Sequence, residues 1–371
     1  MTKIPGGPMS VDLDITPIKD WGFEFDGPLI IAGPCSAESR EQVLETAKGV
    51  AKSGAHMLRA GIWKPRTRPN CFEGMGEEGL KWLVEAREVT GMPISVETAN
   101  PEHVELCLKY NVDLIWVGAR TTVNPFAVQA LADSLEGSDI PVLVKNPINP
   151  DVELWIGALE RLNKAGVTKL GAIHRGFSSA RATEYRNAPN WRIFIELRRR
   201  CEGMPIICDP SHLCGKRALI PAVAQKALDL LFDGLMIESH INPDVALSDS
   251  KQQFTPDDLA KVIADLKPRN PAATDENFIL SIEKERLRLG EIDDQIVDLL
   301  DERMQLSRHI GELKRSRGLA LLQPAQWKKT AERRVEEAEK RGMDAHFMLR
   351  VFQYIHEESL RQQEDIIAGE E

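Results

Sequence analysis

The chain predicts an α/β fold, a closed (β/α)8 TIM barrel, followed by an all-α three-helix domain. Three observations predict it. Up to about residue 267, eight short apolar or β-branched runs each precede a polar segment with helical periodicity. Prolines and small polar residues then interrupt the pattern in LKPRNPAATDEN, residues 266 to 277. Beyond it, helical periodicity continues with few breaks and no β-like alternation.

The eight runs are LIIA (29–32), HMLR (56–59), ISVE (94–97), LIWV (114–117), VLVK (142–145), KLGAI (169–173), IIC (206–208) and GLMI (234–237). Strands alternating with helices build βα units, and eight such units close into a barrel. An open doubly wound sheet is the competing arrangement, but no Gly-rich dinucleotide turn follows the first run. The expected boundaries are a barrel over 1–267, a linker over 268–277 and a helical domain over 278–371.

In the helical domain a long helix runs through Lys314, a shorter one spans about Ala325 to Lys340, and a third runs from about Asp344 to Ile367. Ile292, Ile296, Leu299, Leu306, Ile310 and Leu313 form a stripe that needs a partner. Three helices make a thin core, which dimerisation completes, so a homodimer is the minimum expected assembly.

The 371 residues carry a formal net charge of -10, which argues against nucleic-acid binding through bulk charge. Apolar stretches are too short and interrupted to span a bilayer. The start, MTKIPGGPMS, lacks the regions of a secretion signal, and six cysteines lie in unrelated contexts. A cytoplasmic protein without disulfides or membrane contact is expected.

Residues at the C-terminal ends of barrel strands converge on one mouth. Arg59, Lys64, Arg66, Arg120, Lys145 and Arg175 fall there, six cations whose mutual repulsion calls for compensating anions, most simply phosphate with a carboxylate. His174 is counted with Arg175 just after the sixth strand. A second set, Cys35, His212, Glu238 and Asp249, offers thiolate, imidazole and carboxylates suited to a divalent ion. Taken singly, three of them have a plainer reading: Cys35 as a packed thiol, His212 as a backbone cap, Asp249 as a turn residue with Ser248.

The segments GPCSAE, RAGIWKPRTRP, GAR, VLVK, HRG, DPSH and SDSKQQ resemble the metal-dependent 3-deoxy-D-arabino-heptulosonate 7-phosphate (DAHP) synthases of the short bacterial class, over residues 25–267. The resemblance implies condensation of phosphoenolpyruvate with erythrose 4-phosphate and water. It implies one divalent metal ion per barrel held by Cys35, His212, Glu238 and Asp249. Manganese is expected, with iron, cobalt and zinc also compatible. Phosphoenolpyruvate would lie against Arg59, Lys64, Arg120 (in Gly118-Ala119-Arg120), Lys145 and Arg175. Lys64, Pro65, Arg66 and Thr67 would bridge to the sugar phosphate, and Pro65 stands where the related octulosonate synthases typically carry Ala-Asn. Lys64 is the candidate proton donor; Glu97 or a metal-linked water is the candidate base activating water.

On the long helix, Arg303 is seven residues from both Ile296 and Ile310, in line with the apolar stripe, and Lys314 follows on nearly the same face. Such chains either snorkel out or reach into a pocket for a carboxylate-bearing ligand. LRLGEIDDQIVDLLDERMQLSRHIGELK and VFQYIHEESLRQQ resemble the all-helical chorismate mutases, over roughly 278–367. That family intertwines two chains, which implies that Arg286 of one chain and Arg303 with Lys314 of the other bind chorismate. Gln363, four residues after Ser359, would reach the ether oxygen, and no cofactor is needed for this rearrangement. The middle helix departs from the family pattern, with Gln323 and Gln326-Trp327 where an acidic residue and an Arg-Glu pair are usual. Because the barrel starts near residue 25, the helical module is the candidate sensor through which prephenate would restrain the synthase. A silent, purely regulatory helical domain is the alternative.

Overall fold

The computed structural model describes residues 10–64, 72–179, 183–270, 272 and 275–368. Contacts divide the chain into two compact units that meet between Pro271 and Ala272.

The first unit is a closed barrel of eight parallel strands in sequential order. They are β1 (Leu29–Gly33), β2 (Met57–Ala60), β3 (Ile94–Thr98), β4 (Leu114–Val117), β5 (Val142–Lys145), β6 (Leu170–His174), β7 (Ile206–Cys208) and β8 (Gly234–Glu238). Closure is made by β8 pairing with β1 from Leu29↔Gly234 to Gly33↔Glu238. All eight predicted runs are strands. Five C-terminal ends, those of β1, β2, β3, β6 and β8, move by one residue, leaving Arg59 inside β2 and making His174 and Glu238 the last residues of β6 and β8.

Strand side chains alternate between two cores. Leu29, Ile31, Met57, Leu114, Trp116, Leu143, Ile173, Ile207 and Met236 fill the barrel interior, which Trp21 joins. Ile30, Leu58, Val96, Ile115, Val144, Ala172, Ile206 and Ile237 face the surrounding helices. Two residues past the inward apolar layer, the same row of each strand carries the chemistry: Arg59 after Met57, Lys145 after Leu143, Arg175 after Ile173, Asp209 after Ile207, Glu238 after Met236.

This alternation corrects the placement of His174. It is fully buried on the outer side of β6 among Trp155, Phe177, Trp191, Phe194 and Phe232. Burial pushes its imidazole down to about 3, so it is neutral, and it belongs to the helix-facing core rather than to the mouth.

Among the described residues the second unit has three helices, Glu276–Arg317, Pro324–Lys340 and Ala345–Ala368. Asp275 caps the first, its carboxylate accepting from the amide of Phe278. Gly318 in the left-handed conformation ends it. At 42 residues this helix is ~63 Å long, using about 1.5 Å per residue. Its C-terminal part packs on the last helix, while Leu287, Ile292, Ile296 and Leu299 are exposed.

Candidate metal centre and helical pocket

Gly33 ends β1 at a φ of +148°, and a Cβ there would lie 2.1 Å from the carbonyl oxygen of Arg59. Glycine therefore lets β1 and β2 approach closely, and Pro34 then turns the chain so that Cys35 enters the interior, fully buried. The Cys35 amide donates to Gln253 Oε1 at 2.9 Å, tying this turn to the loop after β8.

Four donor atoms meet there. One ligand atom from each of Cys35, His212, Glu238 and Asp249 lies within 4.8 Å of all the others. The Cys35 thiol is 3.6 Å from Asp249 Oδ2. His212 Nε2 is 3.5 Å from Glu238 Oε1 and 4.0 Å from Asp249 Oδ2. That spread suits one divalent ion with bonds of about 2.0–2.3 Å, and the mixture of soft sulfur, imidazole and carboxylate oxygen fits a transition metal.

Electrostatics prepare the set. Burial, reinforced by Glu238, pushes the Cys35 thiol up to about 11. Burial also pulls His212 down, which favours the neutral, ligating imidazole. Asp249 sits well below the usual carboxylate range because His212 and Arg186 outweigh its burial. Arg186 donates to Asp249 Oδ1 at 2.9 Å and Gln252 donates to Glu238 Oε2 at 2.7 Å.

The cations surround this set. Arg59 is buried and donates to Glu238 Oε1 at 3.2 Å. Lys64 Nζ lies 3.1 Å from Cys35 Sγ and 2.9 Å from its carbonyl oxygen. Lys145 pairs with Asp209 at 2.9 Å. Arg59 and Lys145 both lie over the Trp116 ring, at 4.9 and 5.7 Å from its centroid, while the indole N–H donates to Glu97 Oε2 at 3.0 Å. Gly118 gives Glu97 its place, since a Cβ there would come within 2.2 Å of Glu97 Oε1. Ala119 is half-buried and Arg120 exposed. Burial pushes Arg175 down to about 10. Pro65, Arg66 and Thr67 lie outside the described residues.

Residue reasoning quoted the segments that hold Asp209, Gln252, Gln253 and Trp116 without giving these residues a role, and it missed Arg186. Asp209 had a signal: an Asp-Pro pair three residues before a candidate histidine ligand is an N-cap pattern, and its carboxylate does accept from the His212 amide.

In the helical unit, a cavity of about 300 Å³ is lined by Arg303, Lys314, Trp327, His356, Ser359 and Gln363, among others. Arg303 donates to Ser359 Oγ at 2.5 Å. Lys314 donates to Gln363 Oε1 at 2.8 Å, and Gln363 donates in turn to Ser307 at 2.9 Å. Gln323 and Gln326 line it too, and Trp327 stacks on His356 with ring centroids 4.2 Å apart. Arg286 is exposed, pairs with Glu283, and is not among the lining residues.

The DAHP synthetase I family matches residues 25–269, about two thirds of the chain. The chain belongs to that family. The DAHP synthetase I assignment is joined by a match to chorismate mutase type II over residues 285–364. The phospho-2-dehydro-3-deoxyheptonate aldolase of Thermotoga maritima is 34% identical over 239 residues, 64% of this chain and 68% of that protein. A 2-dehydro-3-deoxyphosphooctonate aldolase of Nitratidesulfovibrio vulgaris is 26% identical, covering 64% of this chain and 90% of its own. The crystal structure of the Thermotoga maritima DAHP synthase matches with a TM-score of 0.59 and 32% identity, over 64% of this chain and 67% of that one. Its truncated form matches with a TM-score of 0.56 and 29% identity, over 64% and 84%. The barrel carries the reaction of the DAHP synthetase I family, an aldol-type condensation of phosphoenolpyruvate with erythrose 4-phosphate and water that yields DAHP and phosphate. The helical unit carries that of the mutases, rearrangement of chorismate to prephenate.

Proposed function

We propose that Cys35, His212, Glu238 and Asp249 hold one divalent ion, manganese first among the candidates, at the mouth of the barrel. The observation that carries this is the convergence of their four donor atoms within 4.8 Å from four separate strand ends and loops. When bound, the ion supplies Lewis acidity to the aldehyde carbonyl of erythrose 4-phosphate.

Arg59, Lys145, Arg120 and Arg175 orient phosphoenolpyruvate, with Gly118 and Ala119 shaping the approach, and their charge offsets the repulsion between two anionic substrates. Pro65, Arg66 and Thr67 are assigned to the sugar phosphate on the family's pattern. Carbon 3 of phosphoenolpyruvate attacks the aldehyde carbon, Lys64 delivers a proton to the aldehyde oxygen, and water captures carbon 2 before phosphate leaves. The ammonium of Lys64 beside Cys35 supports that role, and Glu97 is the candidate base for the attacking water. The test is phosphate release with both substrates on metal-stripped and metal-restored protein; activity that survives stripping would remove the metal centre from the reaction.

In the helical cavity, Arg303, Lys314, Ser359 and Gln363 hold chorismate in its compact conformer, and the two cations with the Gln363 amide stabilise charge on the breaking carbon–oxygen bond. Arg286 reaches this cavity from a second chain in an intertwined homodimer, a reading supported by the exposed apolar length of the first helix. Prephenate in the cavity acts as a feedback inhibitor of the synthase. A second reading, a helical domain that binds but does not turn over chorismate, draws on Gln323, Gln326 and Trp327 standing where the family carries charge. Direct measurement of chorismate consumption by the full chain separates the two.

A further inference from the structure

Asp209 belongs neither to the donor set nor to the cations, yet it joins them. It follows Ile207 in the inward row of β7 and is fully buried. Its Oδ2 accepts from Lys145 Nζ at 2.9 Å and lies 2.8 Å from His212 Nδ1. Its Oδ1 accepts the backbone N–H of His212 at 3.0 Å. Asn187 Nδ2 donates to the His212 carbonyl oxygen at 2.7 Å and so fixes the backbone, while the ring has Asp209 at Nδ1 and faces Glu238 and Asp249 with Nε2.

We propose that Asp209 is a positioning residue: it fixes His212 as the Nδ1–H tautomer, so that Nε2 presents its lone pair to the metal, and through Lys145 it ties metal affinity to occupancy of the anion site. This rests on the metal and phosphate reading above. A carboxylate beside the distal ring nitrogen orients a ligating imidazole and makes it a better donor. Here one oxygen serves two partners. An anion that draws Lys145 toward itself leaves Oδ2 to the imidazole alone, strengthening that hydrogen bond and hence the Nε2 donor. By linkage, metal in turn favours the anion by the same factor.

The test uses the full chain, stripped of metal and titrated with Mn2+ alone and then with inorganic phosphate present. Asp209→Asn is expected to weaken Mn2+ binding by about 10–100-fold and to shrink the tightening that phosphate produces in the unsubstituted protein. Binding by Asp209→Asn within about twofold of the unsubstituted protein overturns the positioning role, given the 10–100-fold scale of such contacts. An unchanged phosphate effect overturns the coupling. The substitution also deprives Lys145 of its partner, so a second readout is taken without any variant. The ring ¹⁵N shifts of His212 in the metal-free protein are expected to place the proton on Nδ1, and a proton on Nε2 overturns the proposal. Failure of the unsubstituted protein to bind Mn2+ at all would instead sink the metal centre itself.

Discussion

At the residue scale, the state of Cys35 makes a sign-definite prediction. Its thiol is pushed up to about 11 by burial and by Glu238, so the metal-free site holds a protonated thiol at neutral pH. A divalent ion needs the thiolate and must displace that proton. Metal affinity is therefore expected to rise with pH up to that value, about tenfold per unit for a single proton. Calorimetric titrations in buffers of different ionisation enthalpy should report about one proton released from Cys35 per ion. Cys35→Ala should lower metal affinity by at least about 100-fold while leaving chorismate turnover intact, because a lost ligand costs more than a lost outer contact. Among helical residues, Lys314→Ala should lower the mutase kcat/KM by about 10²–10³-fold with metal binding unchanged, the scale of losing one charge-stabilising donor.

At the scale of elements, the sequence disclosed the strands because each is a compact apolar run, and it disclosed the donor set as metal-binding side chain types at and beyond the strand ends, which the family motifs then joined into one ligand set. Cys35 and Asp249 are 214 residues apart, and nothing short of barrel closure brings them together. His174 shows where run-counting fails. A strand's last residue points in or out by its parity with the rest of the strand, so His174 turns outward while Arg175 continues the inward row. Asp209 escaped notice because its decisive partner, Lys145, lies on another strand 64 residues away. The apolar stripe of the long helix was legible outright from its period. Ile296 and Leu299 remain exposed in the single chain, so an Ile296→Asp, Leu299→Asp double substitution is expected to give a monomer by analytical ultracentrifugation. Under the proposed intertwined dimer, loss of mutase activity should accompany it, because Arg286 could then no longer reach the cavity of a second chain.

At the scale of the whole molecule, two catalytic units with separate cores share one chain although their reactions do not share an intermediate. The proposed feedback by prephenate would give the fusion a purpose. Prephenate is expected to slow phosphate release by the full chain and to leave a barrel-only fragment ending near residue 271 unaffected. Equal rates with and without prephenate in both samples would remove that role. The same chain with Arg303→Ala should escape inhibition if the helical cavity is where prephenate acts. On the proposed mechanism all of the barrel chemistry depends on one ion reaching four distant side chains, and an anomalous-scattering map of crystals loaded with Mn2+ tests this most directly. The account predicts a single strong peak bonded at about 2.0–2.3 Å to Cys35 Sγ, His212 Nε2 and carboxylate oxygens of Glu238 and Asp249. A peak away from these atoms, or one bound through His212 Nδ1, would contradict it.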